Sequence, residues 1–308
     1  MTDLVTAGEF YFDLIFHRLP RLPRLGEELK TENFGLALGG GAVITALTAA
    51  RLGRTVDLVS VIGDSALDWF ARAELKRAGV GTKYLKEKKN TIGGLTVAVS
   101  LRRDRYFLTY LGANLLVERY LLSSSVRKRL GRARHVHFAL SPRRWEPFSR
   151  LAAWLRGRGV TTSWDLGWNP ETARQPGFRR LNALLDVVFF NQDEALRYSG
   201  RSTPAAALGR LAQPGQCVVI KLGARGAVAI GPDGRRRRAR GLKVRAIETT
   251  GAGDAFNGGF LHAWVQGADL AACLRTGNIC GALSTRVPGG SAGTPTRAEL
   301  ARHLRRLR

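Results

Sequence analysis

The segment with the plainest chemistry is Glu248-Thr249-Thr250-Gly251-Ala252-Gly253-Asp254-Ala255-Phe256. It follows an extended stretch at 243–247 and leads into an apolar repeat, Phe256, Phe260, Ala263 and Trp264, with helical spacing. Thr249 or Thr250 is placed to cap that helix. The small residues Gly251, Ala252 and Gly253 leave backbone N–H groups bare at the positive end of the helix dipole, which makes an anion site. Asp254 falls in the first turn, within reach of whatever that site holds. A carboxylate there repels phosphate, so it adds nothing to anion binding alone. It makes sense as a base that takes a proton from an attacking hydroxyl, while the amides stabilise charge on a phosphoryl group in transfer. The plain alternative is that Asp254 only complements the dipole, and these nine residues by themselves leave both readings open.

Such a site has to be positioned by something. Short β-rich runs at 4–7, 56–62, 136–140, 160–165, 187–190 and 218–222 alternate with amphipathic helical sequence, including helices at 42–52, closed by Gly53, and at 66–78, closed by Gly79. That alternation predicts an α/β fold with a mostly parallel sheet covered on both faces. Ligands in such sheets sit beyond the carboxyl ends of the strands, which directs attention to residues just after each one. Two stretches, 28–38 and 91–111, are extended and lack a helical period. They are expected to be antiparallel strands inserted as a small lid that keeps water from competing with an alcohol acceptor. The expected organisation is one domain over 1–308, its core near 1–13, 39–90 and 112–308 and its lid near 14–38 and 91–111.

The 308 residues are 44% hydrophobic and 8% aromatic, ordinary for a globular chain. No apolar run approaches membrane-spanning length, and the first sixteen residues carry Asp3, Glu9 and Asp13 with no preceding basic residue, so neither a span nor a secretory signal is expected. Cys217, Cys273 and Cys280 are too few and too scattered for a disulfide framework or a zinc knuckle, and they point to buried thiols in the cytoplasm. The net charge is +25, and 40 of the 49 basic residues are Arg. They are spread along the chain without a nucleic-acid-binding motif, which favours a solvated surface over a nucleic-acid partner. The dense run Arg235 to Arg238 follows Pro232-Asp233-Gly234 and is expected in a solvated hairpin. His135 and His137 alternate on one strand with no third ligand in view, so packing is expected rather than metal binding. Trp145, Trp154 and Trp164 are expected in the core, whereas Trp168 could stack on a ring.

The nine-residue segment, extended through Asn257-Gly258-Gly259, resembles the second signature of the ribokinase-like (PfkB) carbohydrate kinase family. Gly39-Gly40-Gly41, with Ala49-Ala50-Arg51-Leu52-Gly53, resembles that family's first, substrate-side signature. Gly63-Asp64 is similar to its Gly-Asp pair, Asn191-Gln192-Asp193-Glu194 to its Asn-x-x-Glu motif, and Lys221-Leu222-Gly223-Ala224-Arg225-Gly226 to its nucleotide loop. Asn278 and Ser284-Thr285-Arg286 resemble the adenine-side helix and its exit. The motifs run in family order through nearly the whole chain.

The resemblance implies a ribokinase-like three-layer α/β/α fold and transfer of the γ-phosphate of ATP to a hydroxymethyl group of a small sugar-like molecule. It makes Asp254 the base and the amides of Gly251, Ala252 and Gly253 the anion hole. ATP would meet Lys221, Gly223, Gly226, Thr250 and Asn278; Asn191 and Glu194 would organise Mg²⁺ and its waters. Glu248, in place of the family's usual Asp, and Thr250, with carbonyls of 289–293, would hold a monovalent cation such as K⁺. Asp13, Gly39, Gly40, Gly41, Asn114 and Asp165 would face the acceptor, with Asn169 a weaker candidate. Family members often dimerise through the lid, so a homodimer is implied. From the residues themselves, Glu194 could be only a helix-start carboxylate, Gly223 and Gly226 a hairpin turn, Asp13 a loop carboxylate, Gly39 to Gly41 a flexible turn, and Lys221 a snorkelling side chain. Two departures bear on the acceptor. Ile44 stands where the family has a sugar-binding Asn, and Leu140 about where ribose-type members carry a Glu. A pocket lacking those polar partners should discriminate poorly for ribose. A nucleoside kinase and a non-catalytic sugar- or nucleotide-binding protein are the rival readings.

Overall fold

The strand Leu4-Val5-Thr6-Ala7 is fully buried at successive positions, Thr6 included, as expected for a strand covered on both faces. It lies in the middle of a large sheet. The computed structural model describes residues 2–101, 105–167 and 175–306; Trp168 and Asn169 lie outside them. The strands are β1 (Thr2–Gly8), β2 (Tyr11–Leu19), β3 (Phe34–Gly39), β4 (Val56–Ile62), β5 (Val80–Gly81), β6 (Leu85–Glu87) and β7 (Gly94–Leu101). They continue as β8 (Arg105–Tyr110), β9 (Ala133–Ala139), β10 (Thr161–Asp165), β11 (Val187–Asn191), β12 (Cys217–Lys221), β13 (Ala227–Ile230) and β14 (Arg236–Ala239). The helices are α1 (Gly41–Arg51), α2 (Ala66–Arg77), α3 (Val117–Leu121), α4 (Ser124–Leu130), α5 (Trp145–Arg156) and α6 (Pro176–Asn182). After them come α7 (Gln192–Ser199), α8 (Pro204–Leu211), α9 (Ala252–Trp264), α10 (Leu270–Ser284) and α11 (Arg297–Arg306).

The main sheet runs β14-β13-β12-β11-β10-β9-β1-β4-β5, with β6 added beside β4. From β12 to β5 its pairs are parallel; only β12–β13 and β13–β14 are antiparallel. The two-residue period of a strand sorts its side chains into two cores. Leu4, Leu58, Phe189 and Val219 pack with α1, α2, α9 and α10, whereas Val5, Val136, Val188 and Ile220 pack with α3 to α8. The three-layer α/β/α architecture is therefore as the sequence predicts. The parallel register brings Gly8, Ala139, Asp165, Asn191 and Lys221 to one edge of the sheet.

A separate four-stranded sheet runs β3-β2-β7-β8. The expectation of antiparallel strands at 28–38 and 91–111 needs correction. Residues 28–33 form no strand, β2 and β7 pair in parallel, and Tyr11–Leu19, which the sequence put partly in the lid without marking a strand, is a central strand of this small sheet. The reason is length: only two residues separate β1 from β2, so the chain leaves the main sheet at once. On this sheet Phe34, Leu36, Leu108 and Tyr110 are exposed.

Other expectations are met. Arg236–Ala239 forms the solvated strand of a hairpin, turned at Gly234 with φ 73°. His135 and His137 are buried and bonded to Thr161 and Ser163 hydroxyls at 2.7–2.8 Å, and burial pushes their pKa values down to about 3 and about 4. The three cysteines are buried and free. Trp164 stacks on Phe138 and donates to the Leu140 carbonyl at 2.8 Å, and Trp145 is buried too; Trp154 is only half-buried, between Arg127 and Arg158. Among the described residues no helix is long and apolar enough to cross a membrane.

Candidate active site

The helix start works differently from the Thr cap expected. Gly251 is the N-cap, in the left-handed conformation with φ 72°, and no side chain caps it. A Cβ there would also meet Ile44 Cδ1 at 2.5 Å, so both backbone and space require glycine. The Ala252 N–H turns to the Thr249 carbonyl at 3.2 Å and the Asp254 N–H to the Gly251 carbonyl at 3.1 Å. Gly251 and Gly253 N–H take no backbone acceptor among the described residues, which leaves two open donors beside Asp254.

The glycines of the first signature make room for carboxylates. A Cβ on Gly41 would lie 3.0 Å from Asp254 Oδ1 and 3.0 Å from the Ala139 Cβ; one on Gly39 would lie 2.3 Å from Asp13 Oδ2. The Thr45 hydroxyl ties α1 to α9 by donating to the Asp254 carbonyl at 3.2 Å. Asp13, expected to face the acceptor, lies on β2, opposite Ala37 of β3, and is buried, so it is not the plain loop carboxylate that its neighbours alone allow. Enclosure by protein, with Glu248 and Asp254 nearby, pushes its pKa to about 7. Asp254 is also raised to about 7, by enclosure and by the Asp165 charge, against the pull of Lys221.

Below them lies a buried charge group. Lys221 Nζ donates to Asp165 Oδ2 at 2.6 Å, and the Asn257 amide donates to the same oxygen at 2.7 Å. Although burial opposes it, Lys221 and Asn257 hold the Asp165 pKa below the usual carboxylate range. Lys221 Nζ is also 3.1 Å from where a Cβ on Gly253 would lie, so the ammonium sits beside the anion hole rather than snorkelling to the surface. Asn257 was not foreseen. Its spacing of three from Asp254 on one helix is the signal that would have found it, since such residues share a face.

Asn191 and Glu194 form a reciprocal cap on α7: the Glu194 N–H donates to Asn191 Oδ1 and the Asn191 N–H to Glu194 Oε2, both at 2.8 Å. Enclosure, then Asp165, pushes Glu194 up to about 7, so this helix-start carboxylate also feels the site. Gly223 and Gly226 have φ 59° and 94° in the turn between β12 and β13, and a Cβ on Gly226 would strike the Ala239 carbonyl at 2.1 Å. Asn278 donates to the Ala239 and Arg240 carbonyls at 3.1 Å, and Asn114 clasps the Phe10 backbone at both N–H (3.0 Å) and carbonyl (2.6 Å). These two amides are spent on scaffold. Ile44 is buried, packed toward Gly251.

Glu248 Oε1 accepts the Thr250 N–H at 2.7 Å, while Glu248 Oε2 and Thr250 Oγ1 are buried without a hydrogen-bond partner. Gly290 packs against the Thr250 carbonyl, a Cβ there falling 2.5 Å from it. Among the described residues no group of three His, Cys, Asp or Glu could hold a metal by itself.

Known proteins resemble this chain over nearly its whole length. A ribokinase of Haemophilus influenzae is 28% identical over 296 residues, covering 93% of each chain. An ATP-dependent ribose-1-phosphate kinase of Halopiger xanaduensis is 28% identical, covering 99% of this chain and 98% of that one. Among solved structures, a putative ribokinase II of E. coli superposes with a TM-score of 0.85 at 20% identity, over 99% of this chain and 100% of that one. The Arabidopsis thaliana ribokinase complexed with ribose and ATP has a TM-score of 0.83 at 22% identity, over 98% of each. The pfkB family carbohydrate kinase signature matches residues 1–297, and with the motifs and fold above it shows that the chain belongs to this family of carbohydrate kinases.

Proposed function

We propose that this carbohydrate kinase moves the γ-phosphate of ATP onto a hydroxymethyl group of a small sugar, with Asp254 as the base. The observation that carries the reading is the Asp254 carboxylate, lodged between Gly41 and two open amides, with its proton affinity tuned close to neutrality. Asp13 and the backbone at Gly39 to Gly41 hold acceptor hydroxyls. Asp254 takes the proton as the acceptor oxygen bonds to phosphorus and the bond to the ADP oxygen breaks. The Gly251 and Gly253 amides, with Lys221 behind them, bear the charge on the transferring group. The turn carrying Gly223 and Gly226 lies at the end of β12, where a nucleotide in a parallel sheet would be bound.

Magnesium fits as an ion held chiefly by phosphates and water, with Glu194 the carboxylate beside it; no all-protein cage is needed. The unpartnered Glu248 Oε2 and Thr250 Oγ1 fit a desolvated monovalent cation, which would supply the missing partner and brace the anion hole. Relatives named for ribose, for ribose 1-phosphate and for 2-dehydro-3-deoxygluconate leave the acceptor open among neutral, phosphorylated and acidic sugars. The apolar row on the small sheet, Phe34, Leu36, Leu108 and Tyr110, is the face through which two copies would pair. Sedimentation should then show a dimer at micromolar concentration, and a monomer there removes that part of the reading.

The deciding experiment is an ADP-release assay over pentoses, hexoses, keto-deoxy sugar acids and nucleosides, in potassium and in tetramethylammonium salts. Asp254→Asn should lower kcat by at least about 10²-fold while nucleotide binding stays within a few fold. Near-normal turnover in that variant would overturn the role of Asp254. Equal rates in the two salts would remove the cation.

A further inference from the structure

A cavity of about 250 Å³ lies against the ends of β1 and β9, lined in part by Glu9, Asn114, Arg119, Leu140, Arg143 and Arg144. It adjoins the acceptor face. The Glu9 N–H reaches the Ala139 carbonyl at 3.4 Å, Leu140 is the next residue, and the Ala139 Cβ shares with Asp254 the space beside Gly41. The cavity thus begins one residue from the wall next to the base. Its volume is below the range of about 300–1,000 Å³ that takes a whole small ligand, so it suits one end of a molecule whose other end is elsewhere.

The charges in it are not balanced among themselves. Arg119 and Arg143 are exposed, and among the described residues their side chains make no hydrogen bond or ion pair. Glu118 is occupied with the turn: it accepts the Arg143 N–H at 3.0 Å and the Arg144 N–H at 3.2 Å, and the Arg144 guanidinium lies 3.8 Å away. Glu9 accepts the Tyr11 hydroxyl at 3.0 Å and is the carboxylate that Arg143 faces; enclosure raises its pKa against the pull of Tyr11 and Arg143. A group entering the cavity therefore meets three guanidiniums against two engaged carboxylates. Leu140 adds no acid of its own. Arginine forks match the oxygens of a carboxylate or a phosphate.

We infer that the acceptor carries an anionic group, a phosphate or a carboxylate, at the end remote from the reacting hydroxyl, and that Arg119 and Arg143 hold it in this cavity with Arg144 alongside. The inference rests on the kinase reading above and narrows its acceptor class.

The test compares D-ribose, D-ribose 1-phosphate and a 2-keto-3-deoxy sugar acid as acceptors for the wild type and the Arg119→Gln/Arg143→Gln variant. The wild type should prefer one anionic acceptor over ribose by at least about tenfold in kcat/KM, and which one it prefers tells phosphate from carboxylate. In the double variant that preference should shrink about tenfold or more, through KM rather than kcat. Titration calorimetry of ribose 1-phosphate and of the sugar acid runs beside it and needs no turnover. Preference for neutral ribose, or an unchanged preference in the variant, overturns the inference and leaves the kinase reading intact. If no acceptor is turned over, the kinase reading fails by itself. The inference then stands if the variant loses about tenfold in affinity for either anion, and falls if it does not.

Discussion

Buried carboxylates close enough to feel one another's charge behave in opposite ways. Asp165 has Lys221 at 2.6 Å and Asn257 at 2.7 Å, and its pKa is held down. Asp13 and Asp254 gain no such partner, and enclosure lifts both to about 7. Residue type and burial are shared; the supply of donors is not. A carboxylate given its counter-charge inside the protein becomes a fixed part of the framework. One denied it keeps an appetite for a proton or for a ligand hydroxyl, which is what an acceptor site requires.

The contrast can be broken from the paired side first. Lys221→Met strips Asp165 of its counter-charge and should cost about 3–5 kcal/mol of stability, because the remaining charge is buried and uncompensated. Urea unfolding at pH 7 reads this directly. A companion Asp165→Leu/Lys221→Met variant should recover most of the loss. If Lys221→Met alone is as stable as wild type, Asp165 is not the fixed charge described here.

From the unpaired side the sign reverses and the effect is smaller. Asp13 binds its proton more tightly folded than unfolded, so between its ordinary value near 3.8 and about 7 the native state holds more protons. Stability therefore falls as pH rises through that window and levels off above it. Asp13→Asn removes the penalty and should be more stable than wild type by about 1–3 kcal/mol at pH 8, with no gain below pH 4. A variant that is less stable at pH 8 would mean that the Asp13 carboxylate is satisfied after all.

Much of this site is legible in the amino-acid sequence. The Gly251 to Asp254 segment and the strand ends at Asp165, Asn191 and Lys221 follow from short-range rules: glycine at positive φ, helix period, and the alternation that makes a parallel sheet. The cap was misjudged because Thr249 and Thr250 are good cap residues locally, yet the backbone turns at Gly251, where Ile44 and Gly290 press from other parts of the chain. A loop carboxylate stays open for Asp13 from sequence because nothing in its neighbours announces that β2 pairs with β7, eighty residues away.

By itself the amino-acid sequence determined which chemical groups are present, the alternation of strands and helices in the main sheet, and the amide-lined helix start that holds a carboxylate. Those depend on neighbours within a few residues. The tertiary structure decided which carboxylate is paired and which is left bare, and that Arg119 and Arg143 share one cavity with Glu9. Proton affinity and charge balance depend on distances between residues 24 to 241 positions apart, and only the packed chain sets those distances.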